Sequence, residues 1–235
     1  AYVGAGVLGS SVGMDKGLFK DVMTANQIPV APSILVHQSD LADMDLVLEK
    51  VEKFGNYPVF VKPANMGSSV GISKCRDIEE TAAGILEAAR FDRRILIEKG
   101  INAREIELSV LGNQVPRVSI PGEIRPTAEF YSYEAKYHDD SSELLIPAPI
   151  SQEQAEILQD YALRAYQAID CEGMARVDFL MDKDTDEIYL NEVNTIPGFT
   201  PISMYPKLWE ASGLTYSELI DELIRLAMER KEEKD

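Results

Sequence analysis

The sequence predicts an α+β fold of two α/β lobes, and three observations carry that prediction. Strand-like and helix-like segments interleave along the 235 residues without a regular βαβ repeat. The texture changes near Gly100, from short strands alternating with helices to longer paired strands, so the expected division is 1–100 and 101–235. Finally, 45% hydrophobic and 27% charged residues are the composition of an ordinary globular chain, long enough to bury a sizeable core.

The elements follow in order. Asp15 to Asn26 reads as a short helix stopped by Pro29, and Ser33 to His37 as a strand. Leu41, Met44, Leu48 and Val51 recur at helical spacing, which predicts an amphipathic helix. Tyr57 to Pro63 is a β-rich run entering a Gly/Ser loop, Asn65 to Gly71; a helix over Asp77 to Ala89 and a strand over Arg94 to Glu98 come next. Glu105 to Val118 alternates as paired strands around a turn at Gly112 and Asn113. Pro121 to Pro149 is rich in Pro, Gly, Ser, Asp and Tyr with little periodicity, the texture of a functional loop or of disorder. Ser151 to Ile169 is a helix with Ser151 as N-cap and Gln154 three residues on. Strands over Met174 to Met181 and Glu187 to Val193 flank a polar turn, and helices near Met204 to Ala211 and Thr215 to Arg230 close the chain, with Glu229 to Asp235 expected to fray.

Several function classes are excluded by composition. A formal charge of −17 argues against nucleic acid, whose phosphates are bound by clustered Lys and Arg. No apolar run approaches the roughly 20 residues that cross a bilayer, and no stretch reads as a signal peptide, so no membrane role is expected. Cys75 and Cys171 lack metal-ligand spacing and read as reduced structural thiols, consistent with cytoplasm. His37 and His138 are too far apart in sequence for a His-based metal site.

The strongest chemical constellation is Arg176-Val-Asp178 followed by Asn191-Glu-Val-Asn194. Asp178 and Glu192 fall on successive strands, and Asn194 shares a face with Glu192 because strand side chains alternate with period two. If those strands pair as a hairpin, three oxygen donors converge, a set that suits Mg²⁺ completed by water and phosphate. The alternative is a pair of solvent-facing strand carboxylates. Arg176 shares the face of Asp178, either to stabilise charge in phosphoryl transfer or merely to neutralise its neighbour. Lys62 ends a hydrophobic strand, as a snorkelling edge residue or as a cation held for phosphate. The Asn65–Gly71 loop after it has the small residues of a backbone-amide phosphate cradle, though not a Walker A pattern. Lysine, loop and distant acidic cluster together point to a nucleotide site.

These motifs resemble, in order and spacing, the D-alanine–D-alanine ligases of the ATP-grasp group. The resemblance rests on Phe60-Val-Lys-Pro63, Gly67-Ser-Ser-Val-Gly71, Leu96-Ile-Glu-Lys99, Tyr133-Glu-Ala-Lys-Tyr137, Arg176-Val-Asp178 and Glu192-Val-Asn194-Thr-Ile-Pro-Gly198. It runs from Tyr2 to the final helix. It implies an ATP-grasp fold holding ATP between the sheets of two lobes: a linker plus small lobe over 1–100, and a large catalytic lobe over 101–235 with a mobile loop at 127–145. On this resemblance Lys16 and Lys62 touch the ATP phosphates, Glu98 and Lys99 lie near adenine, Glu105 near ribose, and Lys136 reaches ATP from the loop. Asp178, Glu192 and Asn194 hold two Mg²⁺ ions, with Mn²⁺ as an alternative. Arg176 stabilises the transition states, and Ser68, Tyr137, Gly198 and Ser203 line the D-alanine sites.

The implied reaction phosphorylates one D-alanine to an acyl phosphate, which the amine of a second attacks, for peptidoglycan precursor synthesis. Lys136-Tyr137 resembles the forms that use D-alanine as second substrate. D-Ala–D-Ser or D-Ala–D-Lac ligases, or a non-catalytic nucleotide-binding module, are the alternatives. Whole ligases of this kind carry a further N-terminal α/β domain to which nothing here matches, so the chain is expected to bind Mg·ATP yet make dipeptide poorly. The full-length enzyme is expected to be a homodimer.

Overall fold

A computed structural model describes residues 1–55, 57–125, 143–200 and 202–232. Two antiparallel sheets organise them. The first takes β1 (Ser33–His37), β2 (Val59–Pro63), β3 (Ser73–Cys75) and β4 (Arg94–Lys99) in the order β1-β4-β2-β3. The second takes β5 (Ala103–Gly112), β7 (Gly122–Arg125), β8 (Glu143–Leu145), β9 (Gly173–Asp182) and β10 (Ile188–Asn194) in the order β10-β9-β5-β7-β8, with β6 (Arg117–Val118) paired to β5. Among the described residues, no helix is long and apolar enough to cross a membrane.

Period-two alternation gives each sheet one apolar face and one chemical face. In the first sheet Val59, Val61, Ile95 and Ile97 pack with Val47 and Val51 of α3 (Met44–Phe54) and Ile85 of α4 (Ile78–Ala88). Phe60, Lys62 and Glu98 take the opposite face, which α2 (Lys16–Ala25) crosses at β4. In the second sheet Ile106, Leu108, Val177 and Phe179 pack against Leu158 and Tyr166 of α5 (Gln152–Ala168) and against Phe19 and Met23 of α2. Its other face carries Glu105, Glu107, Arg176, Asp178, Glu192 and Asn194. Beyond these, Leu111 and Met174 are covered by α6 (Met204–Ala211) and α7 (Tyr216–Glu232) through Tyr205, Trp209 and Leu219.

The helix ends match the sequence signals. Asp15 caps α2 through Leu18 N at 2.9 Å, Asp77 caps α4 through Glu80 N at 2.8 Å, and Ser151 and Gln154 form a reciprocal capping box on α5. Four expectations change. Leu41 belongs to a 3-10 turn, Gln38–Asp43, and the α-helix starts after Asp43, whose side chain accepts from Leu46 N. The Gly/Ser-rich stretch Val7–Met14 is an unanticipated helix, α1. A Cβ on its Gly9 would sit 3.1 Å from the carbonyls of Ile169 and Asp170, and one on Gly13 would sit 3.2 Å from Val193 O. Its small residues thus buy backbone approach, and packing overrides weak helix propensity. Within the stretch read as irregular, β7 and β8 pair with each other, held in register by β5. Lastly, the expected fraying does not begin at Glu229, since α7 continues to Glu232. Arg230, 4% exposed, bonds Tyr2 O and Glu172, and stacks 4.1 Å over the Tyr2 ring.

Candidate active site

The polar faces of the two sheets meet at a cleft of about 130 Å³, lined by Lys16, Lys20, Lys62, Met66 to Ser69, Ile72, Glu98, Asn191 and Glu192. Its basic wall begins at α2. With Asp15 as cap, the Lys16 backbone N–H donates to Ala64 O at 3.0 Å and its Nζ donates to Met66 O at 2.5 Å. This ties the helix start to the loop that carries Ser68. In that loop Ser68 and Ser69 hold φ of 53° and 60°, a left-handed conformation that costs non-glycine residues energy. Such strain concentrates at functional sites.

Glu98 is the hinge of the charge network. It is 3% exposed and pairs with Lys62 at 2.5 Å and Lys20 at 2.6 Å, while Lys20 also donates to Ala31 O. Burial alone would raise the Glu98 carboxyl, but Lys62 and Lys20 together outweigh it and hold it at about 2. Glu98 therefore anchors two cations at the cleft floor. Burial pulls the Lys16 ammonium below its ordinary value, with Glu192 opposing and Lys62 adding to the shift.

The acidic wall comes from the β9–β10 hairpin. Its register sets Glu192 opposite Asp178 and Asn194 opposite Arg176, after an irregularity between Leu190 and Glu192 that leaves Asn191 unmatched. Asn194 Nδ2 donates to Asp178 at 2.9 Å and to Glu192 at 3.3 Å. Arg176 grips Asp178 with two bonds of 2.7 Å, and its Nε lies 3.0 Å from Glu107 Oε2. Burial opposes the Arg176 charge, but Asp178 and Glu107 raise its pKa and secure it. Burial, then Asp178, pushes the Glu107 carboxyl well up, against the pull of Arg176.

Two carboxylates and one carboxamide offer three hard oxygen donors, a partial set that suits Mg²⁺ completed by water and phosphate. Among the described residues no cluster of three His, Cys, Asp or Glu side chains could hold a metal ion, so the set depends on Asn194. That amide now turns its nitrogen to both carboxylates, and a half-rotation presents its oxygen instead. The residues fit the ion.

The structure thus unites Lys16, Lys62, Ser68, Glu98 and Glu192 in one cleft, and Arg176, Asp178, Glu192 and Asn194 in one bonded cluster. Gly198 and Ser203 are neighbours: a Cβ on Gly198 would lie 2.9 Å from Ser203 Oγ. Lys99, at the end of β4, and Glu105, on β5, are half-buried and do not line the cleft. Lys136, Tyr137 and most of the 127–145 loop lie outside the described residues. Two participants were not singled out in the sequence. Lys20 lies one helical turn beyond Lys16, and Glu107 lies two residues beyond Glu105 on a strand; both spacings place them on the face of a candidate residue.

Comparison with known proteins bears on the family and the fold. The family model "D-ala D-ala ligase C-terminus" matches residues 22–225. D-alanine–D-alanine ligases from Thermoanaerobacter sp. strain X514 and Caldicellulosiruptor bescii are each 55% identical over 234 residues, 99% of this chain. The chain spans 65% and 64% of their respective lengths. Among solved structures, the D-alanine–D-alanine ligase from Coxiella burnetii aligns with a TM-score of 0.86 at 38% identity, over 99% of this chain and 62% of that one. The VanG D-Ala:D-Ser ligase from Enterococcus faecalis aligns with a TM-score of 0.85 at 35% identity, over 95% and 64%. With its α+β, ATP-grasp fold, this chain belongs to the D-alanine–D-alanine ligase family, in the part its C-terminal family model describes.

Proposed function

We propose that this chain is the ATP-binding and catalytic part of a ligase that joins two D-alanines through an acyl phosphate, supplying peptidoglycan precursors. The observation that carries the reading is Glu192: it lines the cleft beside Lys16 and Lys62 and is bonded to Asn194 of the Arg176–Asp178 cluster. One side chain thereby joins a phosphate-binding wall to an anion-stabilising one.

A carboxylate is a poor acyl donor until one oxygen leaves as phosphate. Lys16 and Lys62 bind and orient the ATP phosphates, with Glu98 fixing Lys62. Lys99 and Glu105 serve the nucleoside, and the lobes divide as 1–100 and 101–235. Asp178, Glu192 and Asn194 would hold two Mg²⁺ ions; when bound, these neutralise phosphate charge. Arg176, pinned by Asp178 and Glu107, is preorganised to stabilise charge growing at the reacting carbonyl. Ser68, Gly198 and Ser203 line the amino acid sites, with Lys136 and Tyr137 contributing from the loop. The same reading makes the protein cytoplasmic and the full-length enzyme a homodimer.

Similarity to a D-Ala:D-Ser ligase supports D-serine as a second reading for the attacking amine. Measuring ADP release by the full-length enzyme with D-alanine, D-serine and D-lactate as second substrate separates them. D-alanine as the preferred substrate supports the proposal, and preference for D-serine selects the second reading. ADP release driven only by L-amino acids overturns both.

A further inference from the structure

Arg176 Nε carries one hydrogen, and two carboxylates stand ready to take it. Asp178 Oδ1 accepts it at 2.7 Å, while Nη2 of the same arginine donates to Asp178 Oδ2 at 2.7 Å. Glu107 Oε2 lies 3.0 Å from the same Nε yet accepts no hydrogen bond; its contact is Coulombic only. This oxygen belongs to a residue 6% exposed, directly opposite Asp178 in the β5–β9 ladder. A buried carboxylate oxygen without a donor is unfavourable and uncommon in native proteins, and calls for a physical reason.

The reason lies in what Asp178 must do. Both of its oxygens accept from the guanidinium and Oδ2 also accepts from Asn194, so a cation engaging Asp178 competes with those bonds. On the ligase reading, we propose that Glu107 is the alternate acceptor for Arg176: when a divalent cation engages Asp178, the Nε–H passes to Glu107 Oε2 and the guanidinium keeps its place. Glu107 is then a positioning residue. It touches neither nucleotide nor ion, but lets one carboxylate turn from arginine to metal without freeing the arginine. The separation of 3.0 Å is already that of a hydrogen bond, so the exchange asks for reorientation of the Nε–H and not for a closer approach.

Two substitutions separate this handover from a simple charge effect. Glu107→Met removes the acceptor at similar length, whereas Glu107→Gln removes the charge but keeps an oxygen that can accept. Calorimetry would follow binding of the Mn²⁺ complex of a non-hydrolysable ATP analogue to the wild-type chain and each variant. The expected result is about tenfold weaker binding for Glu107→Met, the size of one hydrogen bond to a charged group, and a loss within about threefold for Glu107→Gln. Equal losses in both would mean charge alone and would overturn the handover, as would no loss in either. A folded wild-type chain that fails to bind the complex overturns the ligase reading and this inference together; binding with unaltered variants overturns the inference alone. If Glu107→Met does not fold, a crystal structure of the wild-type chain with the Mn²⁺ complex decides. Nε donating to Glu107 supports the handover, and Nε still donating to Asp178 refutes it.

Discussion

Replacing Glu98 with glutamine removes the one negative charge that Lys20 and Lys62 share. Their side chains are 6% and 13% exposed, so neither can recover full hydration when the carboxylate goes. A carboxyl held at about 2 instead of its ordinary 4.5 corresponds to roughly 3 kcal/mol of stability at neutral pH. Breaking a buried ion pair by removing one partner costs about 3–5 kcal/mol, the same range. We therefore expect Glu98→Gln to destabilise the chain by about 3 kcal/mol at pH 7.

The pH dependence carries the sign. A carboxyl depressed in the folded state contributes stability that is complete above its unfolded value and disappears as pH falls through about 2. The gap between wild type and Glu98→Gln should hold from pH 7 to about 5 and shrink to roughly half by pH 3. Urea denaturation at pH 7, 5 and 3 measures it, followed by circular dichroism because the single tryptophan, Trp209, packs beside the second sheet, away from Glu98. A gap under about 1 kcal/mol at pH 7, or one constant to pH 3, would refute the reasoning.

Two further expectations concern the scaffold. Gly71→Ala should destabilise by about 2 kcal/mol, because φ is +70° there and a Cβ would lie 2.7 Å from Phe91 and 2.8 Å from Pro63; a thermal melt checks it. Cys75 and Cys171 are 1% and 4% exposed, and burial pushes the Cys171 thiol up to about 12. Both should resist a thiol reagent in the native chain and react fully in denaturant, and rapid native labelling would contradict their structural role.

The residues that the sequence exposed, and those it hid, differ for physical reasons. Arg176, Asp178, Glu192 and Asn194 were legible because period-two alternation sorts polar from apolar positions on two long adjacent strands. Lys62 stood out as a cation ending an apolar strand. Lys20 and Glu107 did not, since their meaning depends on non-local partners: Glu98 for Lys20, and Arg176 on β9 for Glu107. Helix α1 was hidden by its glycines, which disfavour a helix until β10 and the 169–170 turn provide a surface to approach. Strands β7 and β8, four and three residues long, are too short to display alternation and owe their form to the β5 edge.

On the proposed function, two walls of opposite charge form one metal-dependent nucleotide site. Calorimetric titration of this chain with a non-hydrolysable ATP analogue, with and without Mg²⁺, tests it most directly. The expected result is Mg²⁺-dependent binding that weakens in both Lys62→Ala and Glu192→Gln. Binding indifferent to Mg²⁺, or unchanged in Glu192→Gln, would contradict it.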